Sequence, residues 1–568
     1  MVLRGDIMQG LGRKFYSCVA VLPRGFDGVD DVLGMWRGGV KMWVVTNCAD
    51  IFARFENSFH MEVYFVPKAR LKLGMDYDGK LSRSTHKLLK KLDKLTAFNY
   101  AQFMLEHDAS GHDILVTAGA GTGKTTSMIA RISRLIHLHS LTPHSLSEAV
   151  IMITFTNNAA SHMKEKLTAY FNSYFELTRD PAALGFALHT EKMPISTIHA
   201  FARRLLNVEV VDTTSIKKQL MVQALQKYEK EEYTSHFLQI FDYLEHMGID
   251  LENPKPCFGV PSDDVFHLMM LDVLKTAYTG LHKHLHTNRQ AGLSNLIAQA
   301  LQSDILFPKK PPSYVFIDEF QDTDHAQIAL IKKLQDYLHF KLFVVGDAKQ
   351  SIYRFRGAAP DAFEQINSSK SSRYSLHKNY RSSNELLKAL NIKFVGLYAQ
   401  KLLSYKRHDR LRGVYSSGVH QPIVLLDEQP ETALPSLVSD CQAQGDIGIL
   451  VRKNHQAEHV RNILKSAGAS CPENVHILTI HKAKGLEFNT VILPFAQNLQ
   501  KPTPLRGETK IIAHAMRIGY EISINSKKFT NNHFASLEQI DAIARQKEEA
   551  RIFYVACTRA KNKLIILN

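Results

Sequence analysis

Cysteine is scarce: six residues in 568, at positions 18, 48, 257, 441, 471 and 557, with no C-x-x-C pair. Such scatter excludes a disulfide frame or a cysteine zinc centre. It fits reduced thiols inside a cell, so the expected setting is the cytoplasm. Long apolar runs are missing as well. Nothing approaches the roughly 18 residues of a membrane span. The apolar patch near the start, Cys18–Leu22, is too short for a secretory signal. Glycine (30) and proline (19) are too few for a collagen-like or linker-dominated chain, and no internal repeat or low-complexity tract marks a solenoid. Acidic residues are in deficit, 55 Asp and Glu against 70 Lys and Arg, a net charge of +15. A surplus of that size suits a polyanionic partner, because each phosphate neutralised releases counterions.

What is present is a globular composition, 45% hydrophobic and 22% charged. At about 150 residues per domain the chain predicts about four units. Residues 1–95 stand apart. They hold both tryptophans, Trp36 and Trp43, a strand-like stretch at Met61–Phe65, and a closing basic amphipathic segment. Leu81, Leu88, Leu92 and Leu95 fall near one helical face and Lys87, Lys90, Lys91 and Lys94 on its flanks. That pattern reads as a solvated face on a packing helix, in preference to a nucleic-acid contact. It assigns this N-terminal extension no activity.

From residue 96 onward, strands rich in Val, Ile and Phe alternate with helical patterns, which predicts an α/β fold with parallel sheets. Five apolar runs, Ile114–Val116, Val150–Phe155, Tyr314–Ile317, Leu342–Val345 and Ile477–Ile480, each end in a polar cluster. Ligands of α/β sheets bind at such strand ends. Between about 205 and 295 the pattern is mostly helical, which predicts an inserted helical subdomain.

The chemistry starts at Ala118-Gly119-Ala120-Gly121-Thr122-Gly123-Lys124-Thr125, after a strand and opening a helix. Glycines let backbone N–H groups wrap phosphates, Lys124 reaches the β and γ phosphates, and the Thr125 hydroxyl suits Mg²⁺. A second block, Val315-Phe316-Ile317-Asp318-Glu319-Phe320-Gln321-Asp322, ends an apolar strand in paired carboxylates. Phosphoryl transfer gives such a pair two jobs: Asp318 holds the metal and Glu319 deprotonates the attacking water. Two histidine clusters, His137/His139/His144 and His282/His284/His286, lack ligand spacing and read as solvated histidines.

Further blocks follow: Gly346-Asp347-Ala348-Lys349-Gln350-Ser351-Ile352-Tyr353-Arg354-Phe355-Arg356-Gly357-Ala358, Asn379-Tyr380-Arg381-Ser382-Ser383, Thr479-Ile480-His481-Lys482-Ala483-Lys484-Gly485-Leu486-Glu487-Phe488 and Tyr554-Val555-Ala556-Cys557-Thr558-Arg559-Ala560-Lys561. In this order the blocks resemble superfamily 1 DNA helicases of the UvrD, Rep and PcrA type, most closely the RecB and AddA branch. The resemblance spans about residues 96–568. It implies two RecA-like P-loop domains, the first from 96–204 and 296–371, the second from 372–568, with 205–295 as the helical insertion. It also implies an ATP-dependent helicase using ATP and Mg²⁺. The implied partner is single-stranded DNA, or DNA with a 3′ single-stranded tail, translocated 3′ to 5′ in repair, recombination or phage defence. A separate nuclease or recombination protein is a further candidate partner.

Residue roles follow from the same resemblance. Gln102 would read adenine, with Thr126 beside it, and Tyr380 would stack on the base. Gln350 would sense the γ-phosphate, Arg381 and Arg559 would be arginine fingers, and Glu487 would contact ribose and phosphates. Phe155, Thr156, His199, Tyr353 and Phe355 match the strand-gripping blocks, where aromatics stack on bases. The chain also departs from the family pattern. Thr126 stands where UvrD-type members carry arginine, Asn158 replaces a common lysine, and Phe355 replaces a tryptophan. The unit Ile447–Gly468 is followed at once by Val475, so the regulatory 2B domain is expected to be absent. The chain stops at Asn568, so the nuclease domain of RecB and AddA is not expected.

Overall fold

The computed structural model describes residues 15–55, 60–247, 249, 251–252, 255–259, 264–303, 311–366, 370–467, 472–499, 504–505, 507–514 and 517–567; Gly468, Cys471 and Asn568 lie outside them. The N-terminal unit is a four-stranded sheet of β1 (Ser17–Leu22), β2 (Lys41–Thr46), β3 (Met61–Phe65) and β4 (Gly74–Tyr77), ordered β3-β2-β1-β4 with only β4 antiparallel. Strand alternation decides its two faces. Cys18, Ala20, Leu22, Met42 and Val44 meet Val32, Met35, Ile51 and Phe55 of the crossover helices. Val19, Trp43 and Val45 point the other way, onto Leu89 and Leu92 of the helix Arg83–Leu95 and onto Phe98 and Phe103.

That basic helix packs on Leu89 and Leu92 with its four lysines exposed. Leu95, expected on the buried face, is 65% exposed, because the helix ends there and the chain turns away. The described residues between 15 and 95 are also more than an extension, since their core continues into the helix Tyr100–Glu106. Lys41 Nζ pairs with Glu106 at 2.7 Å, the Tyr16 hydroxyl donates to Glu106 at 2.6 Å, and Arg134 meets Asp78 at 3.2 Å.

His107 sits in this junction, hydrogen-bonded with Ser17 Oγ at 2.7 Å and stacked on Phe103 at 4.4 Å. Burial pulls its pKa down to about 4, against a partial upward pull from Glu106. The folded protein therefore keeps it neutral at pH values where the unfolded chain, titrating near about 6.5, has taken up a proton. Stability is complete above that value and is lost as pH falls from about 6.5 to 4, by up to about 3 kcal/mol. Both tryptophans lie in this unit, so their emission reports its unfolding selectively. Melts followed by tryptophan fluorescence should show a fall in Tm between pH 6.5 and 4.5 that is flattened in His107→Gln. An equal slope in the two proteins would place the acid sensitivity elsewhere.

The first RecA-like sheet begins with β5 (Ile114–Ala118), β6 (Val150–Thr154) and β7 (Ile195–Thr197). The chain then enters a helical region built on Thr214–Gln226, Thr234–His246 and Val265–Thr287, tied by the short pair β8 (Glu209–Val211) and β9 (Gln290–Gly292). It returns as β10 (Tyr314–Ile317), β11 (Lys341–Gly346) and β12 (Ser372–Leu376). The order β12-β5-β11-β10-β6-β7 is wholly parallel, with apolar cores on both faces. Strand β12 corrects the boundary at 371. Residues 372–376, assigned from sequence to the second domain, are the edge strand of the first sheet, paired with β5 from Ser372↔Ile114 to Leu376↔Ala118.

The remaining chain starts with β13 (Lys378–Asn379), paired with β14 (Arg412–Gly413). It then builds a second parallel sheet from β15 (Ile423–Leu426), β16 (Ile447–Val451), β17 (Val475–Thr479) and β18 (Phe488–Leu493). β16 and β17 are direct neighbours, linked in sequence through the helix Asn454–Ser466. A sheet not foreseen from sequence follows: β19 (Thr509–His514), β20 (Arg517–Ile524) and β21 (Lys527–Thr530), antiparallel. Its Ile518, Tyr520, Ile522 and Ile524 are buried in the core of the helical region, beside Phe237, Phe258 and Leu274. The helix Phe534–Cys557 leads from this sheet to β22 (Ala560–Leu567), which completes the order β15-β22-β18-β16-β17. No described helix is long and apolar enough to cross a membrane.

Candidate active site and nucleic-acid face

Between the C-terminal edges of the two parallel sheets lies a cleft of about 1150 Å³. The loop after β5 forms one wall. Gly121 (φ +69°) and Gly123 (φ +81°) adopt the left-handed backbone that lets the loop curl, and Lys124 begins the helix Lys124–Leu138. A Cβ on Gly121 would lie 2.6 Å from Arg381 Cβ, so the two domains touch at this glycine. Ala120 to Thr126 line the cleft. Two expected phosphate ligands do not. Ala118 is the last residue of β5 and its side chain is fully buried in the core, while the Gly119 N–H donates to Leu376 O at 3.5 Å. The cleft lining therefore starts at Ala120, two residues later than the sequence pattern suggested.

The acidic pair stands at the end of β10. Lys124 Nζ meets Glu319 Oε1 at 2.8 Å, and Gln321 Nε2 donates to the other Glu319 oxygen. Burial pushes Glu319 up, but Lys124 and then Lys484 outweigh it and hold the carboxyl well below the usual range. Asp318 is the opposite case. Burial and the adjacent Glu319 charge raise it to about 6. Its Oδ1 accepts the Glu319 N–H at 2.8 Å. A buried carboxyl whose charge is this poorly compensated, facing the Thr125 hydroxyl's loop, offers the hard oxygen donors that Mg²⁺ prefers. The residues fit that ion, which would neutralise Asp318 and bind phosphate oxygens.

The far wall carries the guanidiniums. Arg381 Nε donates to Glu487 at 2.7 Å. Arg559, 2% exposed, donates to Val555 O (3.0 Å), Leu486 O (3.3 Å), Thr558 Oγ1 (3.1 Å) and Gln350 Oε1 (3.4 Å). A buried polar relay joins the two walls and was not visible in the sequence. Gln321 Oε1 accepts the Asp347 N–H at 2.8 Å, Gln350 Nε2 donates to Asp347 at 2.9 Å, and Gln350 in turn receives Arg559. A second bridge pairs Lys484 with Asp322, and Lys484 also donates to Gln350 O at 2.9 Å.

Four residues expected at the nucleotide or strand lie outside the cleft lining. Gln102 Nε2 donates to Thr122 O at 2.9 Å behind the loop, and the Tyr380 hydroxyl donates to Ala97 O at 2.9 Å. Glu487 has its oxygens taken by Arg381 and by Lys561 at 2.9 Å, in place of the expected ribose contact. His199 lies within electrostatic reach of His246, and burial, then that neighbour, lowers its pKa.

The other residues expected to grip the strand converge. Phe155 and Tyr353 stack at 4.9 Å and 29°, with Tyr353 and Phe355 6.0 Å apart. The ring of His481, missed from sequence as an aromatic contact, lies 5.7 Å from Phe355. Burial, then Arg452, lowers the His481 pKa to about 4, so it joins as a neutral ring. Arg356 covers both Tyr353 (5.3 Å) and Phe355 (5.6 Å), and Lys484 covers Tyr353 at 5.0 Å. Phe355 is 61% exposed, an open stacking surface flanked by cations. Thr156 caps the helix Asn157–Thr178 on the same wall, accepting the Ala159 N–H at 3.1 Å. The histidine clusters serve local contacts, such as His139 with Tyr314 at 2.8 Å and His282 with Asn295 at 2.9 Å.

Comparison with known proteins agrees with this geometry. The profile of the UvrD/REP helicase N-terminal domain matches residues 101–371, and that of the UvrD-like helicase C-terminal domain matches residues 465–568. The chain belongs to the UvrD/REP family of ATP-dependent DNA helicases. It is 25% identical over 482 residues to a probable DNA helicase of Mycoplasma pneumoniae, covering 80% of each chain. It is 27% identical to the Gabija protein GajB of Bacillus cereus, over 63% of this chain and 60% of that one. It is 29% identical to the ATP-dependent DNA helicase PcrA of Staphylococcus aureus, over 49% and 37% respectively. Against these last two, the helicase spans less than two thirds of the relative's length.

Proposed function

We propose that this helicase is an ATP-driven translocase on single-stranded DNA, moving 3′ to 5′. The observation that carries the reading is that one cleft brings the phosphate loop and acidic pair together with the aromatic cluster. Lys124, Asp318, Glu319 and Arg559 line it together with Phe155, Tyr353 and Phe355. ATP entering between Lys124 and the two guanidiniums draws the domains together. Asp318 and Thr125 would hold Mg²⁺, Glu319 would accept the proton of the attacking water, and Arg559 and Arg381 would meet the charge at the γ-phosphate. The bridges Gln350–Arg559 and Lys484–Asp322 tie that event to the aromatic face, where bases are gripped and released in turn.

Steady-state ATPase activity with and without single-stranded DNA tests this reading, followed by unwinding of duplexes carrying a 3′ or a 5′ tail. Strong DNA stimulation with a 3′-tail preference is expected; hydrolysis indifferent to DNA would sink the translocase. Phe355→Ala should raise the DNA concentration for half-maximal stimulation about 10- to 100-fold, since stacking contributes about 1–3 kcal/mol per base. An unchanged half-point would remove Phe355 from the DNA path. The direct passage from the helix Asn454–Ser466 to β17 favours a second reading. Without a 2B domain, strand separation would be completed by a partner such as a separate nuclease or recombination protein. Translocation without unwinding by the isolated chain is its expected signature.

A further inference from the structure

The short strand β13 carries a lysine that none of the family blocks includes. Lys378 is buried, its side chain 9% exposed, and its ammonium reaches out of the second domain into the N-terminal unit. There it donates to the carbonyls of Asp93 and Phe98 and, at 2.9 Å, to that of Thr96, with Asp93 Oδ1 at 3.3 Å. An ammonium has three protons, so these three carbonyls saturate it. They belong to the frayed C-terminus of the helix Arg83–Leu95 and the turn after it, where backbone carbonyls lack helical partners and a cation is favoured.

The two residues after Lys378 grip the nucleotide loop. Asn379 Nδ2 donates to Ala120 O at 2.6 Å, the Tyr380 N–H donates to Gly121 O at 2.8 Å, and the Tyr380 hydroxyl donates to Ala97 O at 2.9 Å. Asn379 Oδ1 accepts the N–H groups of Arg381 (2.8 Å) and Ser382 (2.7 Å), fixing the turn from which Arg381 projects into the cleft. Five residues thus connect the N-terminal unit, the phosphate loop and one guanidinium.

We infer that Lys378 is a positioning residue for ATP hydrolysis, and that the N-terminal unit serves as the anchor from which it holds the Tyr380–Arg381 arm against the phosphate loop. The inference rests on the ATPase reading above. Without this anchor the arm loses its charged hold on the N-terminal unit, so Arg381, still paired with Glu487, samples orientations that miss the γ-phosphate.

The test uses the full chain and three variants, Lys378→Met, Arg381→Ala and their combination. Lys378→Met removes all three donors at nearly constant volume. It should lower kcat/KM for ATP roughly tenfold, and weaken equilibrium binding of a non-hydrolysable ATP analogue by a smaller factor. Because Lys378 acts through Arg381, the double variant should be no slower than Arg381→Ala alone. Lys378→Arg, which retains a cation and its donors, should recover most of the loss; Lys378→Gln replaces the methionine variant should that one fail to fold. Wild-type kcat/KM in a folded Lys378→Met protein, or losses that multiply in the double variant, would overturn the inference. The analogue-binding comparison still decides it if the wild type does not hydrolyse ATP, an outcome that would count against the motor reading instead.

Discussion

Glu319→Gln is expected to lower DNA-stimulated ATP turnover on the order of 10³-fold while leaving ATP binding intact. The substitution keeps the shape of a side chain held on both sides, by Lys124 at 2.8 Å and by Gln321. What it removes is the group proposed as the base. Lys124, and after it Lys484, keep Glu319 ionised, against a burial that would otherwise protonate it. Incoming phosphates compete for Lys124, because a triphosphate offers it more negative charge than one carboxylate. On the proposed reading Glu319, with Lys484 still beside it to hold its charge, is then released as the acceptor for the proton of water. A glutamine there can orient the water but accepts no proton. Single-turnover hydrolysis and analogue binding, measured side by side, separate these roles. A Glu319→Gln protein retaining about a tenth of wild-type turnover would fall far short of a general base's contribution and place proton acceptance on another group.

Arg559→Ala is expected to cost about 10³-fold in kcat, with a much smaller change in KM, the pattern for a group whose contribution develops in the transition state. Burial first, and the neighbouring Arg381 second, pull the Arg559 pKa down to about 9. It still carries its charge near neutral pH, and its protein acceptors are the neutral oxygens of Val555, Leu486, Thr558 and Gln350. A buried cation satisfied by neutral oxygens, beside a second cation, is a site short of an anion. On the proposed reading the γ-phosphate supplies it, most strongly when charge builds on its oxygens. Arg559→Lys should recover little, since an ammonium cannot make the guanidinium's spread of four contacts. Full recovery by lysine would mean that charge alone matters and that the relay through Gln350 does not. Melting temperatures of both variants guard against reading a packing defect as lost catalysis.

Much of the chemistry was readable from the sequence because it is local. A phosphate loop needs its glycines, lysine and hydroxyl within eight residues, and the carboxylate pair needs only a strand end. The strand runs preceding them therefore located Lys124, Asp318 and Glu319 without any knowledge of the fold. The same locality misled at Ala118 and Gly119. The motif pattern includes them, but the sheet claims Ala118 as core and the Gly119 amide for Leu376. Leu95 failed for a related reason: a helical wheel assumes a helix that continues, and this one stops.

The sequence by itself determined the parallel strand–helix architecture, the phosphate and acidic clusters, the absence of an inserted domain between β16 and β17, and the ordered blocks of a helicase. Only the tertiary structure decided that β12 closes the first sheet and that β19–β21 fill the core of the helical region. It alone placed His481 beside Phe355 and welded residues 15–95 to the nucleotide site through Lys378. These features depend on contacts between residues more than 100 positions apart, as between Lys378 and Thr96 or Tyr520 and His267. Apolar alternation shows that a strand will be buried, and a lone lysine shows only a charge. Which surface the strand meets, and which carbonyls surround the ammonium, is settled when the separate units fold against one another.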